Sequence, residues 1–211
     1  MIVAMPVTPG LPGGGKLPNV MAEVAQVQAL LPRPVVFDEP ATGGADHRSS
    51  GLPTRANVFT QLPGCSIAHF ACHGGSHPDD PSKSLLLLHD HDTAPLTVAS
   101  LANIRHDRLQ LVYLSACRTA FTSAGDLLDE SINLASAFQL VGARHVVGTL
   151  WEINDATAVT VAAAFYRELR DVTGNLDTER SAIALHTSVR AVRDAYPLAL
   201  ALWAAYIHVG A

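Results

Sequence analysis

The chain has 211 residues, 48% of them hydrophobic, with a net charge of −5 and a pI near 6.0. A chain of this size buries a core without disulfides or a structural metal and is expected to form one domain over 1–211, and its scattered Lys and Arg exclude a global basic field for nucleic acid or an anionic membrane. Cys65, Cys72 and Cys117 are odd in number and form no C-x-x-C pair, so neither a disulfide framework nor a thiolate zinc knuckle is indicated, and a reducing compartment is the simpler reading.

In chain order, "MIVAMPV" opens as a strand. It lacks the basic flank of a signal peptide. A helix follows over Leu17–Leu31, with Val20, Val24, Val27 and Leu31 on one face. "PVVF" at 34–37 reads as a strand, and 38–53 as a polar Gly/Pro-rich loop. "SIAHFA" at 66–71 is the next strand, and 74–83 reads as a second loop. "SLLLL" at 84–88 starts a hairpin that continues through "HDHDTAPL", and "TVASLANI" is a short helix. "LQLVYLSA" at 109–116 is a strand, followed by a helix from Asp129 that Gly142 stops. "ARHVVGTLW" at 143–151 is another strand. Asn154 and Asp155 are cap candidates for a helix ending near Gly174, and Thr178–Tyr196 is a third long helix closed by Pro197. "YIHVG" at 206–210 closes the chain as a strand. The longest apolar run, Leu198–Ile207, has ten residues, too few to span a bilayer, so a cytoplasmic protein is expected. The 66–71, 109–116 and 143–151 runs are apolar almost without alternation, which suits strands buried on both faces of a largely parallel sheet. Strands alternating with helices imply a three-layer α/β domain.

In an open α/β sheet, reactive side chains gather beyond the carboxyl ends of the strands. His73 follows one predicted strand and Cys117, 44 residues on, follows another. If those strands are parallel neighbours, the two residues share one edge, as nucleophile and base. Gly74 lets backbone approach a substrate closely, and its N–H with that of Cys117 suits an oxyanion hole. Cys72 reads as core and Cys65 as a loop or strand-start residue. His73, His77, His89 and His91 with Asp79, Asp80, Asp90 and Asp92 make a polar region, but no metal-ligand spacing is present and no metal site is expected.

The stretches "IAHFACHG" (67–74), "LVYLSACRTA" (111–120) and "DESINLASAFQLVGARHVVGTLWEINDATA" (129–158), framed by "AMPVTPG", "EPAT" (39–42) and "PLALALWAAYIHVG" (197–210), resemble the CHAT domains. These are caspase-like domains, often attached to tetratricopeptide repeats, within the caspase/separase/gingipain clan of cysteine peptidases. The resemblance implies a three-layer caspase-like fold with a mostly parallel central sheet flanked by helices. It also implies His73 and Cys117 as catalytic dyad, Gly74 and Cys117 as oxyanion donors, and Ser115 in the primary specificity pocket. Asp126, Asp129 and Glu130 follow the nucleophile loop. They either place a carboxylate in that pocket for a basic side chain, as in arginine-cutting relatives, or cap the helix that carries Phe138. Trp151 either walls the pocket or packs in the core. The implied function is a cysteine endopeptidase that needs no cofactor, hydrolyses peptide bonds of protein substrates and is regulated by a partner or sensor. The alternative is a catalytically silent regulatory or protein-interaction module. The expected partners are a protein or peptide substrate and a regulatory sensor or repeat protein, with no direct nucleic-acid or membrane contact.

Overall fold

The apolar runs become strands, and the amphipathic stretches between them become helices. The structure, a computed structural model, describes residues 1–40, 50–75, 77, 80–102, 107–115, 128–151 and 153–210, with backbone alone at 81 and 128–133. In order come β1 (Ile2–Ala4), α1 (Val20–Leu30), β2 (Val36–Asp38), α2 (Arg55–Gln61) and β3 (Ile67–Ala71). Three short strands follow: β4 (His73–Gly75), β5 (Leu85–Leu87) and β6 (Leu96–Thr97). Next are α3 (Val98–Leu101), β7 (Leu111–Leu114), α4 (Leu128–Leu140), β8 (His145–Thr149), α5 (Asp155–Glu168), α6 (Ser181–Ala195), α7 (Leu200–Trp203) and β9 (Tyr206–Gly210).

Six strands form the central sheet in the order β2-β1-β3-β7-β8-β9, parallel except for β9, which runs antiparallel to β8. Alternate residues of each strand feed opposite layers. Ala68, Phe70, Val112 and Leu114 face a core closed by α2, α3 and α4, with Val58, Leu101 and Phe138. Ile67, Leu111, Tyr113 and Val147 face the other, closed by α1, α5 and α6 with Val24, Val27, Phe165 and Leu185. This is the expected three-layer α/β fold with a mostly parallel central sheet.

Some boundaries differ from the sequence-based expectation. The helix that starts after Asn154 ends at Glu168, before Gly174. Asp171 Oδ1 accepts the N–H groups of Thr173 and Asn175, closing a separate turn in which Gly174 takes φ +83°. That side chain offers the backbone an alternative to continuing the helix. Residues 74–83 are not all loop, since Gly74 and Gly75 join β4, which pairs antiparallel with β5. This pairing matters for the site, because it fixes the backbone of His73.

Candidate active site

β3 and β7 are parallel neighbours, with Phe70 beside Leu114, so their carboxyl ends share one edge of the sheet. His73 leaves that edge two residues past the end of β3. Ser115 leaves it directly after β7, its N–H donating to the Phe70 carbonyl at 2.9 Å. Cys117, two residues further along the chain, lies outside the described residues, as does Asp126. Asp129 and Glu130 belong to the first turn of α4, so Asp129 stands inside the helix rather than at its cap.

The His73 ring is half-buried, and its Nε2 lies 3.2 Å from the Gly15 carbonyl oxygen. A carbonyl only accepts, so this contact puts the ring proton on Nε2 and leaves the Nδ1 lone pair free. Nδ1 is buried and has no hydrogen-bond partner among the described residues. Gly15 holds φ +50°, and a Cβ there would stand 2.8 Å from Leu11 Cδ1 and 2.9 Å from Thr8 Cβ. The loop is closed by the Thr8 N–H donating to the Gly14 carbonyl at 2.7 Å. Sequence reasoning missed Gly15. The available signal was the run Gly13–Gly15 between β1 and α1, all three at positive φ.

Ser115 lines a cavity of about 270 Å³ together with Lys16, Glu23, Ile153, Asn154 and Asp155. Glu23 is only 1% exposed. Its Oε1 is 3.2 Å from His69 Nε2, within ion-pair distance though not aligned as a hydrogen bond. His69 Nδ1 lies 3.2 Å from the Tyr166 hydroxyl. A phenol donating to Nδ1 leaves the imidazole N–H on Nε2, facing the carboxylate. His69 also stacks on Tyr113 at 5.1 Å between ring centroids. Burial, and then the charge of Glu23, push the Tyr166 phenol well above its ordinary pKa. Glu23 and His69 were missed in the sequence, although each shows there as a polar residue inside an apolar stripe or strand.

At the cavity's other wall, Asn154 Oδ1 accepts the N–H groups of Ala156 and Thr157 as N-cap of α5. Asp155 Oδ2 accepts the Asn19 N–H at 2.7 Å, tying the start of α5 to the start of α1. Trp151 is half-buried. Its indole N–H donates to the Ala201 carbonyl at 3.3 Å, and its ring packs on Ile153, Ala158 and Ala205. Gly74 is buried, and a Cβ on it would meet nothing closer than the Leu85 carbonyl oxygen at 3.8 Å. Among the polar loop residues, Asp90 accepts the Arg55 N–H, His89 Nδ1 lies 2.7 Å from Glu39 Oε2, and Asp80 caps Ser82, while Asp79 lies outside the described residues. No group of three or more His, Cys, Asp or Glu among the described residues is placed to hold a metal ion. No helix there is long and apolar enough to cross a membrane.

The sequence profile of the CHAT domain matches residues 3–211, and the chain belongs to the CHAT domain family. Among solved structures it is similar to the Arg-specific cysteine proteinase gingipain R (RgpB), at 11% identity and a TM-score of 0.54, over 97% of this chain and 44% of that one. A complex of the Porphyromonas gingivalis RgpB pro- and mature domains matches at 11% identity and a TM-score of 0.54, over 97% of this chain and 45% of that one. The chain thus spans less than half the length of either, and the likeness is one of caspase-like fold. No curated protein matches the sequence.

Proposed function

We propose that the chain is a cysteine endopeptidase with His73 and Cys117 as its dyad. The observation that carries this reading is the His73 ring, held by the Gly15 carbonyl at one nitrogen and offering a buried, unpartnered Nδ1 at the edge where the chain leaves β7 toward Cys117. Nδ1 takes the Cys117 proton, and the thiolate attacks the scissile carbonyl carbon. The N–H groups of Gly74 and Cys117 receive the developing oxyanion. His73 then passes the proton to the leaving amine, and water hydrolyses the thioester with His73 as base.

The cavity beside Ser115 takes the side chain on the acyl side of the scissile bond. Two carboxylates, Glu23 and Asp155, against the single ammonium of Lys16 favour a basic side chain there. The specificity named for gingipain R agrees with this assignment.

The test is the pH dependence of alkylation of each cysteine, read by mass spectrometry in the native protein and in His73→Ala. Cys65 and Cys72 are buried and serve as internal references. Cys117 is expected to react below pH 8 only when His73 is present. Fluorogenic peptides with Arg, Lys, Leu or Asp at the cleavage position then report specificity. Cleavage is expected to vanish in Cys117→Ala and to fall roughly 10²- to 10⁴-fold in His73→Ala. Reactivity of Cys117 that ignores His73 would favour the silent interaction module.

A further inference from the structure

A second concavity, of about 290 Å³, lies between α6 and the α7–β9 segment, away from the cavity at Ser115. Its α6 wall presents His186, Val189, Arg190 and Arg193, spaced three and four residues apart on one face of the helix. Trp203 and Tyr206 form the opposite wall. The polar character of the groove is that of a donor surface. The Trp203 indole N–H is buried and has no acceptor among the described residues. Arg190 and Arg193 share one exposed carboxylate, Asp194, at 3.5 and 2.9 Å. One guanidinium charge is therefore left over, on a chain whose net charge is −5.

Exposed apolar side chains follow α6 along the chain. At the α6–α7 corner Tyr196 is 58% exposed, Leu198 96% and Leu200 58%. A small anion would satisfy the arginines but would leave these side chains in water. A ligand that complements the whole face carries carboxylates and large apolar side chains together, and extends beyond the cavity. We propose that the α6–α7 groove docks an acidic, apolar-bearing peptide segment of a partner protein.

The position of the groove gives such docking a route to the active edge. Tyr206 pairs with Thr149 at the carboxyl end of β8. It packs with Trp151 against Ile153, Ala158 and Ala205. Ile153 and Ala158 also line the cavity beside Ser115. The docking itself does not depend on the peptidase reading, because it is measured as binding.

The experiment titrates the 211-residue protein into three fluorescein-labelled decapeptides, one alternating Glu with Leu, one Glu with Ser and one Lys with Leu, and reads anisotropy. Saturable binding of the Glu/Leu peptide alone is expected. Arg190→Glu combined with Arg193→Glu is expected to weaken it about tenfold or more. Trp203→Phe, which keeps the apolar ring and removes the donor, is expected to weaken it roughly two- to tenfold. Circular dichroism confirms that each variant is folded. Equal binding of the Glu/Leu and Glu/Ser peptides, unchanged affinity in the double charge reversal, or no saturable binding overturns the proposal. So does concentration-dependent self-association that the same reversal abolishes, which would assign the groove to a second copy of the chain.

Discussion

The two glycines flanking the His73 ring are glycine for different physical reasons, and their alanine variants should separate folding from chemistry. Gly15 sits at φ +50°, where a Cβ would meet Leu11 and Thr8 below 3 Å. Gly15→Ala is expected to lower stability by about 1–3 kcal/mol and to loosen the carbonyl that orients His73. Gly74 has no such strain, its nearest would-be contact being 3.8 Å away. Gly74→Ala should melt within about 0.5 kcal/mol of the parent. If the proposed mechanism holds, it should nevertheless lose about tenfold or more in kcat, since a methyl group at Gly74 would crowd the N–H assigned there to the oxyanion. Thermal melts and steady-state kinetics on both variants decide this, and a Gly74→Ala enzyme with full turnover would remove Gly74 from the mechanism. Tyr166 supplies a third test. Tyr166→Phe takes away the hydroxyl that meets His69 Nδ1 in a fully buried cluster, for about 1–3 kcal/mol. The phenol's raised pKa adds an alkaline signature. The unfolded chain releases this proton near pH 10 while the folded chain keeps it, so the contribution is complete below pH 10 and is lost as pH rises further. Denaturation midpoints measured from pH 8 to 11 should therefore fall more steeply in the parent than in Tyr166→Phe.

Among the elements, α5 carries the most consequence at its first turn, because its N-cap also borders the cavity. Asn154 satisfies two orphan N–H groups there, and Asn154→Ala should cost about 1 kcal/mol in urea denaturation. A loss no larger than that of a surface substitution would show that Asp155, bonded across to Asn19, holds the turn by itself. The sequence made this cap legible because a capping residue acts through its own side chain. The same holds for the buried strands β3, β7 and β8, whose nearly unbroken apolar runs have no other stable place, and for "YIHVG", which is β9 residue for residue. What escaped notice acts through backbone or through pairing. The Gly15 carbonyl would be present whatever residue stood there, so no side-chain pattern announces it. β4 is three residues long and exists because β5 lies opposite. α2 and α7 are too short to show a period. Glu23 was readable, as a carboxylate between Val20 and Val27 on an apolar helix face. Its use became apparent only when β3 brought His69 beside it.

For the molecule as a whole, the sheet ends in a strand that titrates. β9 is held to β8 by a five-residue antiparallel register. Across it, His145 Nδ1 and His208 Nε2 face each other at 3.2 Å, so one of the two facing nitrogens carries a proton and the other accepts. Glu179 lies 3.6 Å from His145 Nε2 and is itself paired with Arg144, on the outer side of the cluster. Partial burial, and secondarily the neighbouring His145, depress the pKa of His208. The direction of the pH effect follows. Below about pH 6.5 the unfolded chain binds a proton at this histidine that the folded chain still refuses. Stability from this group is therefore fully present above pH 6.5 and declines as pH falls from there through the depressed folded value. The strain falls on β9, whose first residue, Tyr206, helps to wall the α6–α7 groove. Acidification should accordingly loosen the β8–β9 edge, and amide exchange of Ile207–Gly210 should accelerate between pH 7 and 5 beyond its intrinsic pH dependence. In His208→Gln, which keeps a polar side chain without the titration, that excess should disappear and the urea midpoint should fall less over the same range. Parallel profiles in the two proteins would mean that the pair is held by packing alone and that protonation at this edge has no structural consequence.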